Sequence, residues 1–219
     1  MSLGQGLTNF LTSDLYGLTA EEYSLGRSNI EIVEAMITAG IKVIQYREKE
    51  KKALYMYQEC LKIRELTQAA GVTLIVNDHI DLALAVQADG VHIGQEDLPP
   101  QIVRQLIGTS MILGLSTHSP AQAEAAVQCG VVDYIGVGPI FATQTKKDVC
   151  EPVGLDYLDY VVKNIQLPFV AIGGIKMNNI AEVHRRGAKI SALVTEIVSA
   201  QNIPEQVAAI RQSIYRSSC

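Results

Sequence analysis

Tryptophan is absent from this chain, phenylalanine occurs three times, and aromatic residues make up only 5% of its 219 positions. Apolar residues still reach 48%, so any core must be largely aliphatic. Positive charge is also scarce: 18 Lys and Arg against 23 Asp and Glu leave a net charge of −5. Nucleic-acid binding needs a basic surface and is therefore excluded as the main task. An acidic chain can still hold anions, provided it gathers its few cations in one place. No uninterrupted apolar run approaches the roughly 18 residues of a membrane span. Met1 to Leu18 contains no basic segment followed by a long apolar stretch, so no signal peptide is expected. Cys60, Cys129, Cys150 and Cys219 form no C-x-x-C pair, and His79, His92, His118 and His184 show no i, i+4 spacing. Free thiols and a cytoplasmic location are expected, rather than a disulfide framework or a helical metal pair.

What recurs is a short β-branched run, a polar or Gly-bearing loop, and an amphipathic stretch rich in Ala, Glu and Gln. The apolar runs predict strands over residues 14–19, 42–47, 73–77, 90–93, 112–116, 134–138, 169–172 and 192–195. Helices are expected over residues 30–39, 53–70, 120–129, 155–164, 178–186 and 204–215, with a short one over 81–87. Ile30, Val33 and Ile37 illustrate the apolar stripe of a helix covering a core. Gly40, Gly71, Gly130 and Gly187 each follow such a stretch, where a left-handed helix end favours glycine. Eight nearly all-apolar strands alternating with helices imply a parallel sheet covered by helices. No G-x-G-x-x-G follows the first strand, as a doubly wound dinucleotide-binding sheet would have. No linker or low-complexity tract divides the chain, whose length suits a barrel of roughly 200–250 residues. The expectation is an α/β fold, a single (β/α)8 TIM barrel spanning residues 1–219.

Such barrels place their active sites at the C-terminal strand ends. After the second strand, alternation sends Gln45, Arg47 and Lys49 to a common side. The guanidinium fork of Arg47 and the point charge of Lys49 suit a diphosphate; a solvated basic turn with Lys51 and Lys52 is the alternative. Asn77 and Asp78 end the third strand, and Asp97 follows the fourth. Two carboxylates from adjacent strand ends suit Mg2+, which takes one or two carboxylates, retained waters and phosphate oxygens. Equally, each could cap the next helix, and Asp97 before Leu98-Pro99-Pro100 reads well as such a cap. Ser116, ending the fifth strand, could bind a phosphate or a heterocycle edge, or cap a helix. His118 is a candidate acid or base, or a hydrogen-bonded structural residue. The loop of residues 138–148 carries Thr143, Thr145 and Lys146, which suits a phosphate-gripping lid or a merely solvated loop. Gly173 and Gly174 would let backbone N–H groups approach a phosphate. Val194, Thr195 and Glu196 complete the rim after the eighth strand. One phosphate near Gly174 and Thr195, and a diphosphate near Lys49, Asp78 and Asp97, imply two phosphorylated small-molecule reactants.

Several motifs, taken in order and spacing, resemble the thiamine-phosphate synthases from Leu15-Tyr16 to about Ser199. They are Gln45-Tyr46-Arg47-Glu48-Lys49, Asn77-Asp78, the run from Ala88 to Asp97, Gly136 to Phe141, Thr143 to Asp148, and Ala171 to Ile175. The resemblance implies an enzyme that joins an aminopyrimidine-methyl diphosphate to a thiazole-ethyl phosphate, forming thiamine phosphate and releasing diphosphate. It implies that Gln45, Arg47, Lys49, Asn77, Ser116 and Lys146 bind the pyrimidine diphosphate, with Lys49, Lys146 and Ser116 acting in catalysis. It implies Mg2+ on Asp78 and Asp97. Thr143, Thr145, Gly174, Val194 and Thr195 would hold the thiazole phosphate, and a homo-oligomer is a family expectation. The chain departs from the family pattern at Glu196, which is expected to point toward the helix layer, and at Ala142, where the family commonly has Pro. A thiazole tautomerase of the same barrel group and a non-catalytic phosphate-binding barrel are the rival readings. Retention of Lys49, Asp78, Asp97 and Lys146 favours the synthase.

Overall fold

Eight short strands, each covered by a helix or a turn, run in one direction and close on themselves. A computed structural model describes residues 5–143, 145 and 151–216. The strands are β1 (Leu15–Leu18), β2 (Val43–Tyr46), β3 (Thr73–Asn77), β4 (Gly90–Ile93), β5 (Ile112–Thr117), β6 (Tyr134–Val137), β7 (Phe169–Ile172) and β8 (Ser191–Leu193). They pair in sequence order, all parallel, and β8 returns to β1 through Leu15 opposite Ser191. The helices are α1 (Gln5–Leu11), α2 (Asn29–Thr38), α3 (Ala53–Ala69), α4 (Ile80–Ala85), α5 (Pro100–Ile107), α6 (Pro120–Cys129), α7 (Gly154–Asn164), α8 (Ile180–Arg185), α9 (Thr195–Val198) and α10 (Ile203–Arg216). The (β/α)8 barrel expected from the strand pattern is the fold observed.

The strands are apolar on both faces because each face has its own core, as the period-two geometry of a strand requires. Outward residues such as Ile44, Leu74, Val91, Leu113 and Ile135 pack against the helices in a large cluster. Inward residues such as Val43, Ile75, Ile112 and Val170 form a second cluster inside the barrel, together with Tyr16 and Tyr134. Ser28 begins α2 with a full capping box, its Oγ accepting from the Glu31 N–H while the Glu31 carboxylate reaches back to the Ser28 N–H.

Among the differences from the sequence expectation, which include α5 over Pro100–Ile107, two bear on the ends of the barrel. Helix α1 was not anticipated. It closes the N-terminal end of the barrel, with Phe10 fully buried against the Tyr134 ring at 4.4 Å and Asn9 Nδ2 donating to Thr73 Oγ1 at 3.2 Å. Its seven residues show too little periodicity to declare themselves, and contact with the barrel floor is what gives them an apolar face to cover. The eighth strand also ends before Val194, not at Thr195. Val194 turns the backbone (φ −94, ψ −82), and its carbonyl accepts from the N–H groups of Ile197 and Val198, so Thr195 opens α9.

Candidate active site

The loop after β2 is braced from below. Thr19 Oγ1 accepts from the Arg47 N–H at 2.8 Å, and Glu48 Oε1 accepts from the Lys49 and Glu50 N–H groups at 2.8 and 3.1 Å. The Lys51 ammonium lies 2.5 Å from Glu21, 2.8 Å from Glu59 and 3.6 Å from Glu48, and Asn29 Nδ2 bonds both Glu48 and Glu59. Oxygens of these three carboxylates gather within 4.8 Å of one another, and Lys51 already supplies their cation. Desolvation opposes ionisation of Glu59, yet its bonds from Lys51, Asn29 and Tyr46 outweigh that and hold its carboxyl below the usual range. Lys51 therefore belongs to the support of this loop, not to a solvated basic turn. Arg47, by contrast, keeps its guanidinium without a hydrogen-bond partner among the described residues. Gln45 does not reach the rim. It lies inside the barrel at 4% exposure, on the same strand face as Val43, and β2 stops at Tyr46, so the alternation does not carry on to Arg47 and Lys49.

Lys49 instead crosses to the end of β3, where its Nζ pairs with Asp78 Oδ2. Asp78 follows Asn77 in a left-handed conformation (φ 61), and its N–H donates to the His92 carbonyl at the end of β4 at 2.9 Å. Asp97 folds back on the same strand end, Oδ2 accepting from the Gly94 N–H at 2.7 Å. Neither carboxylate caps a helix. His79 is the N-cap of α4 and Pro99 that of α5, neither end with a side-chain cap bond, so the capping alternative for Asp78 and Asp97 is overturned. The turn of each loop brings the carboxylate back over the strand end before its helix begins. Each thus has one oxygen engaged, while its Oδ1 has no partner among the described residues. Hard carboxylate oxygens left open at neighbouring strand ends fit a small divalent cation.

Ser116 stands on the next strand, its Oγ 2.9 Å from His92 Nε2 and its carbonyl accepting from Gln95 Nε2 at 2.6 Å. It does not cap α6, whose N-cap is Ser119. His118 is a structural tie, with Nδ1 2.5 Å from the Gly138 carbonyl and its N–H on Gln122 Oε1.

The other half of the rim is built from backbone. Ile140 and Phe141 donate to the carbonyls of Ile172 and Gly173, laying the loop after β6 across the end of β7. A Cβ on Gly174 (φ +62) would sit 2.6 Å from the Ala142 carbonyl oxygen, so glycine is required there by both conformation and space. No acceptor among the described residues takes the N–H of Gly174, Thr195 or Glu196. Thr143 Oγ1 lies 3.2 Å from Thr145 Oγ1 and 3.3 Å from the Thr145 nitrogen. Lys146 lies outside the described residues. Glu196 turns outward as expected, its Oε2 3.3 Å from Gln206 Nε2 on α10 and 3.5 Å from the Met177 nitrogen.

Sequence reasoning assigned no role to Tyr16, His92 and Tyr134, whose polar atoms meet inside the barrel. Two glycines mark their place. A Cβ on Gly114 would meet Tyr134 at 2.2 Å and His92 at 2.5 Å, and one on Gly136 would meet His92 at 3.4 Å. Glycine inside a strand signals a close approach of this kind.

Fold and rim together define a class: a (β/α)8 barrel with cations, carboxylates and open N–H groups at the C-terminal ends of its strands. The chain belongs to the thiamine monophosphate synthase family, whose family model matches residues 15–197. It is 70% identical over 212 residues to the thiamine-phosphate synthase of Pelotomaculum thermopropionicum, covering 97% of each chain. It is 55% identical over 204 residues to that of Lawsonia intracellularis, covering 93% of this chain and 94% of the relative. Among solved structures, the thiamine phosphate pyrophosphorylase of Pyrococcus furiosus superposes with a TM-score of 0.85 at 31% identity, covering 96% of this chain and 98% of that one.

Proposed function

We propose that this chain is a transferase of thiamine biosynthesis that couples an aminopyrimidine-methyl diphosphate to a thiazole-ethyl phosphate. The observation that supports the site assignment is the pair of open carboxylate oxygens after β3 and β4, on Asp78, which pairs with Lys49, and on Asp97, together with N–H groups of Gly174 and Thr195 that meet no acceptor among the described residues. In this reading Arg47 and Lys49 bind the diphosphate, joined by Lys146. Gln45, Asn77 and Ser116 bind the pyrimidine. Asp78 and Asp97 would hold Mg2+, which when bound would neutralise charge developing on the departing diphosphate.

The bond from the pyrimidine methylene carbon to the diphosphate oxygen breaks, with its electron pair leaving on diphosphate. The thiazole nitrogen then supplies the pair for the new C–N bond. The electron-rich ring carries the methylene cation between these events, so no protein nucleophile is needed. What the chain supplies is position and charge: Lys49 and Arg47 favour the leaving group more as its charge grows. The N–H groups of Gly174 and Thr195, with the hydroxyls of Thr143 and Thr145, hold the second phosphate, and Val194 lies beside them. Glu196, held by Gln206, stays out of that phosphate's way.

Among the described residues no helix is long and apolar enough to cross a membrane. One domain over residues 1–219, a cytoplasmic location and a homo-oligomer complete the reading; Cys60 and Cys129 are free thiols in keeping with it.

The test is direct. Purified protein is given both phosphorylated substrates with Mg2+, and diphosphate release is followed. Mg2+-dependent release that requires both substrates is expected. Isomerisation of the thiazole without coupling would replace this reading with the tautomerase, and binding without turnover would replace it with the non-catalytic barrel.

A further inference from the structure

Beneath the rim runs a polar chain whose middle members, Tyr16, Tyr134 and His92, have no role in the reaction outlined above. Gln45 Nε2 donates to the Tyr16 hydroxyl at 3.0 Å, and the Tyr16 and Tyr134 hydroxyls lie 2.9 Å apart. The Tyr134 hydroxyl is 2.9 Å from His92 Nδ1, and His92 Nε2 is 2.9 Å from Ser116 Oγ. Side chains from β1, β2, β4, β5 and β6 are thus joined in one line. Its two ends are Gln45 and Ser116, both assigned above to the pyrimidine. Tyr16, Gln45 and Tyr134 are buried, so water does not compete at the middle of the line. Burial also holds both phenols well above their ordinary ionisation range, so each keeps its proton.

If each hydroxyl proton is used within the line and the imidazole is neutral, the Gln45 bond sets the direction of the others. A hydroxyl has one proton to give, and a neutral imidazole has one donor and one acceptor nitrogen. Gln45 spends an N–H on Tyr16, so the Tyr16 proton goes to Tyr134 and the Tyr134 proton goes to Nδ1 of His92. The imidazole then carries its own proton on Nε2 and gives it to Ser116 Oγ. The Ser116 proton is the one left over, and it points into the pocket. Reversing any link reverses all of them. A flipped Gln45 amide would force the Nδ1–H tautomer and turn the Ser116 lone pairs toward the ligand. The direction set by the Gln45 N–H leaves Ser116 as a donor, while Gln45 keeps one acceptor and one donor. An aminopyrimidine offers ring-nitrogen acceptors and an amino donor, the complementary set. Mismatched lone pairs facing each other would cost binding.

We propose that Tyr16, Tyr134 and His92 are positioning residues that hold His92 as the neutral Nε2–H tautomer and Ser116 as a hydrogen-bond donor toward the pyrimidine ring. The proposal rests on the reading that Ser116 and Gln45 bind that ring. It also predicts a coupling between residues that never touch the ligand and one that does.

Two measurements test it. Nitrogen-15 NMR of the histidine side chains in the wild-type protein, with His92 assigned by its loss in His92→Gln, is expected to show an Nε2–H tautomer at neutral pH. An Nδ1–H tautomer or an imidazolium would overturn the proposal. Steady-state kinetics of Tyr134→Phe, Ser116→Ala and the double variant supply the second. Tyr134→Phe keeps the ring against Phe10 and is expected to raise KM for the aminopyrimidine diphosphate about tenfold, the scale of one hydrogen bond. KM for the thiazole phosphate should stay within about twofold, since a relay through Ser116 acts on the pyrimidine alone. In the Ser116→Ala background the Tyr134 substitution should add nothing further to the pyrimidine KM. Fully additive effects would overturn the relay while leaving the pyrimidine assignment standing. A normal pyrimidine KM in Ser116→Ala alone would overturn the assignment itself, and the proposal with it. Tyr16→Phe, which breaks the line at another point, gives a second variant should Tyr134→Phe fold poorly.

Discussion

The two halves of the rim do similar work by different means. From β2 to β5, side chains carry the site: Arg47, Lys49, Asp78, Asp97 and Ser116 present charge or hydroxyls, and each loop is held by its own hydrogen bonds. From β6 to β8 the rim is mostly main chain: the loop after β6 lies across Gly173 and Gly174, and the N–H groups of Gly174 and Thr195 meet no acceptor among the described residues. In the proposed reaction, charged side chains would concentrate field on a leaving group whose charge changes. In the same proposal, backbone amides would hold a phosphate whose charge does not change. The contrast makes the first half sensitive to chemistry and the second sensitive to shape.

Removing charge from the side-chain half should have the largest effect. Asp78→Asn keeps the volume and is expected to lower Mg2+-dependent kcat on the order of a hundredfold, the scale of losing one preorganised electrostatic partner. Circular dichroism should be unchanged. Turnover at the wild-type rate would mean that Asp78 serves only to hold Lys49.

Adding one methyl group should disturb the backbone half. Gly174→Ala places a Cβ 2.6 Å from the Ala142 oxygen at a positive φ, and a loss of about 2 kcal/mol or more in urea unfolding is expected. KM for the thiazole phosphate should rise, with the pyrimidine KM little changed. An equal rise in both would erase the division between the halves.

Acidity should act below the rim. Burial around His184, which lies 3.2 Å from Ser191 Oγ, holds its imidazole below the ordinary value. The unfolded chain therefore binds more protons between the two values, and stability rises with pH there. A contribution of this sign is fully present as a penalty below the folded value and gone above about pH 6.5. Urea midpoints compared between about pH 5.5 and 7.5 should converge in His184→Gln, and an unchanged slope would assign the effect to other groups.

The smallest effect is expected at Glu196. Its carboxylate is engaged by Gln206, so Glu196→Gln should change the thiazole phosphate KM within about fivefold, the range of an exposed charge pair. A large gain in affinity would show that the carboxylate reaches the phosphate after all.

Much of this was legible beforehand. Alternating apolar runs and helix-ending glycines specify eight parallel strands covered by helices, because hydrogen-bonding geometry and burial leave few other uses for such a pattern. The rim residues Arg47, Lys49, Asp78, Asp97, Ser116 and Gly174 could be named from their places after strands. Other features depend on contacts between segments far apart in the chain. Helix α1 exists as a floor for the barrel. Asp97 returns to Gly94 instead of capping α5. Gln45 joins Tyr16, Tyr134 and His92 only because barrel closure points four strands at a common axis. Local pattern records what a segment can become by itself. Which polar atoms meet inside a closed barrel depends on strand register, and register is decided by packing across the whole ring.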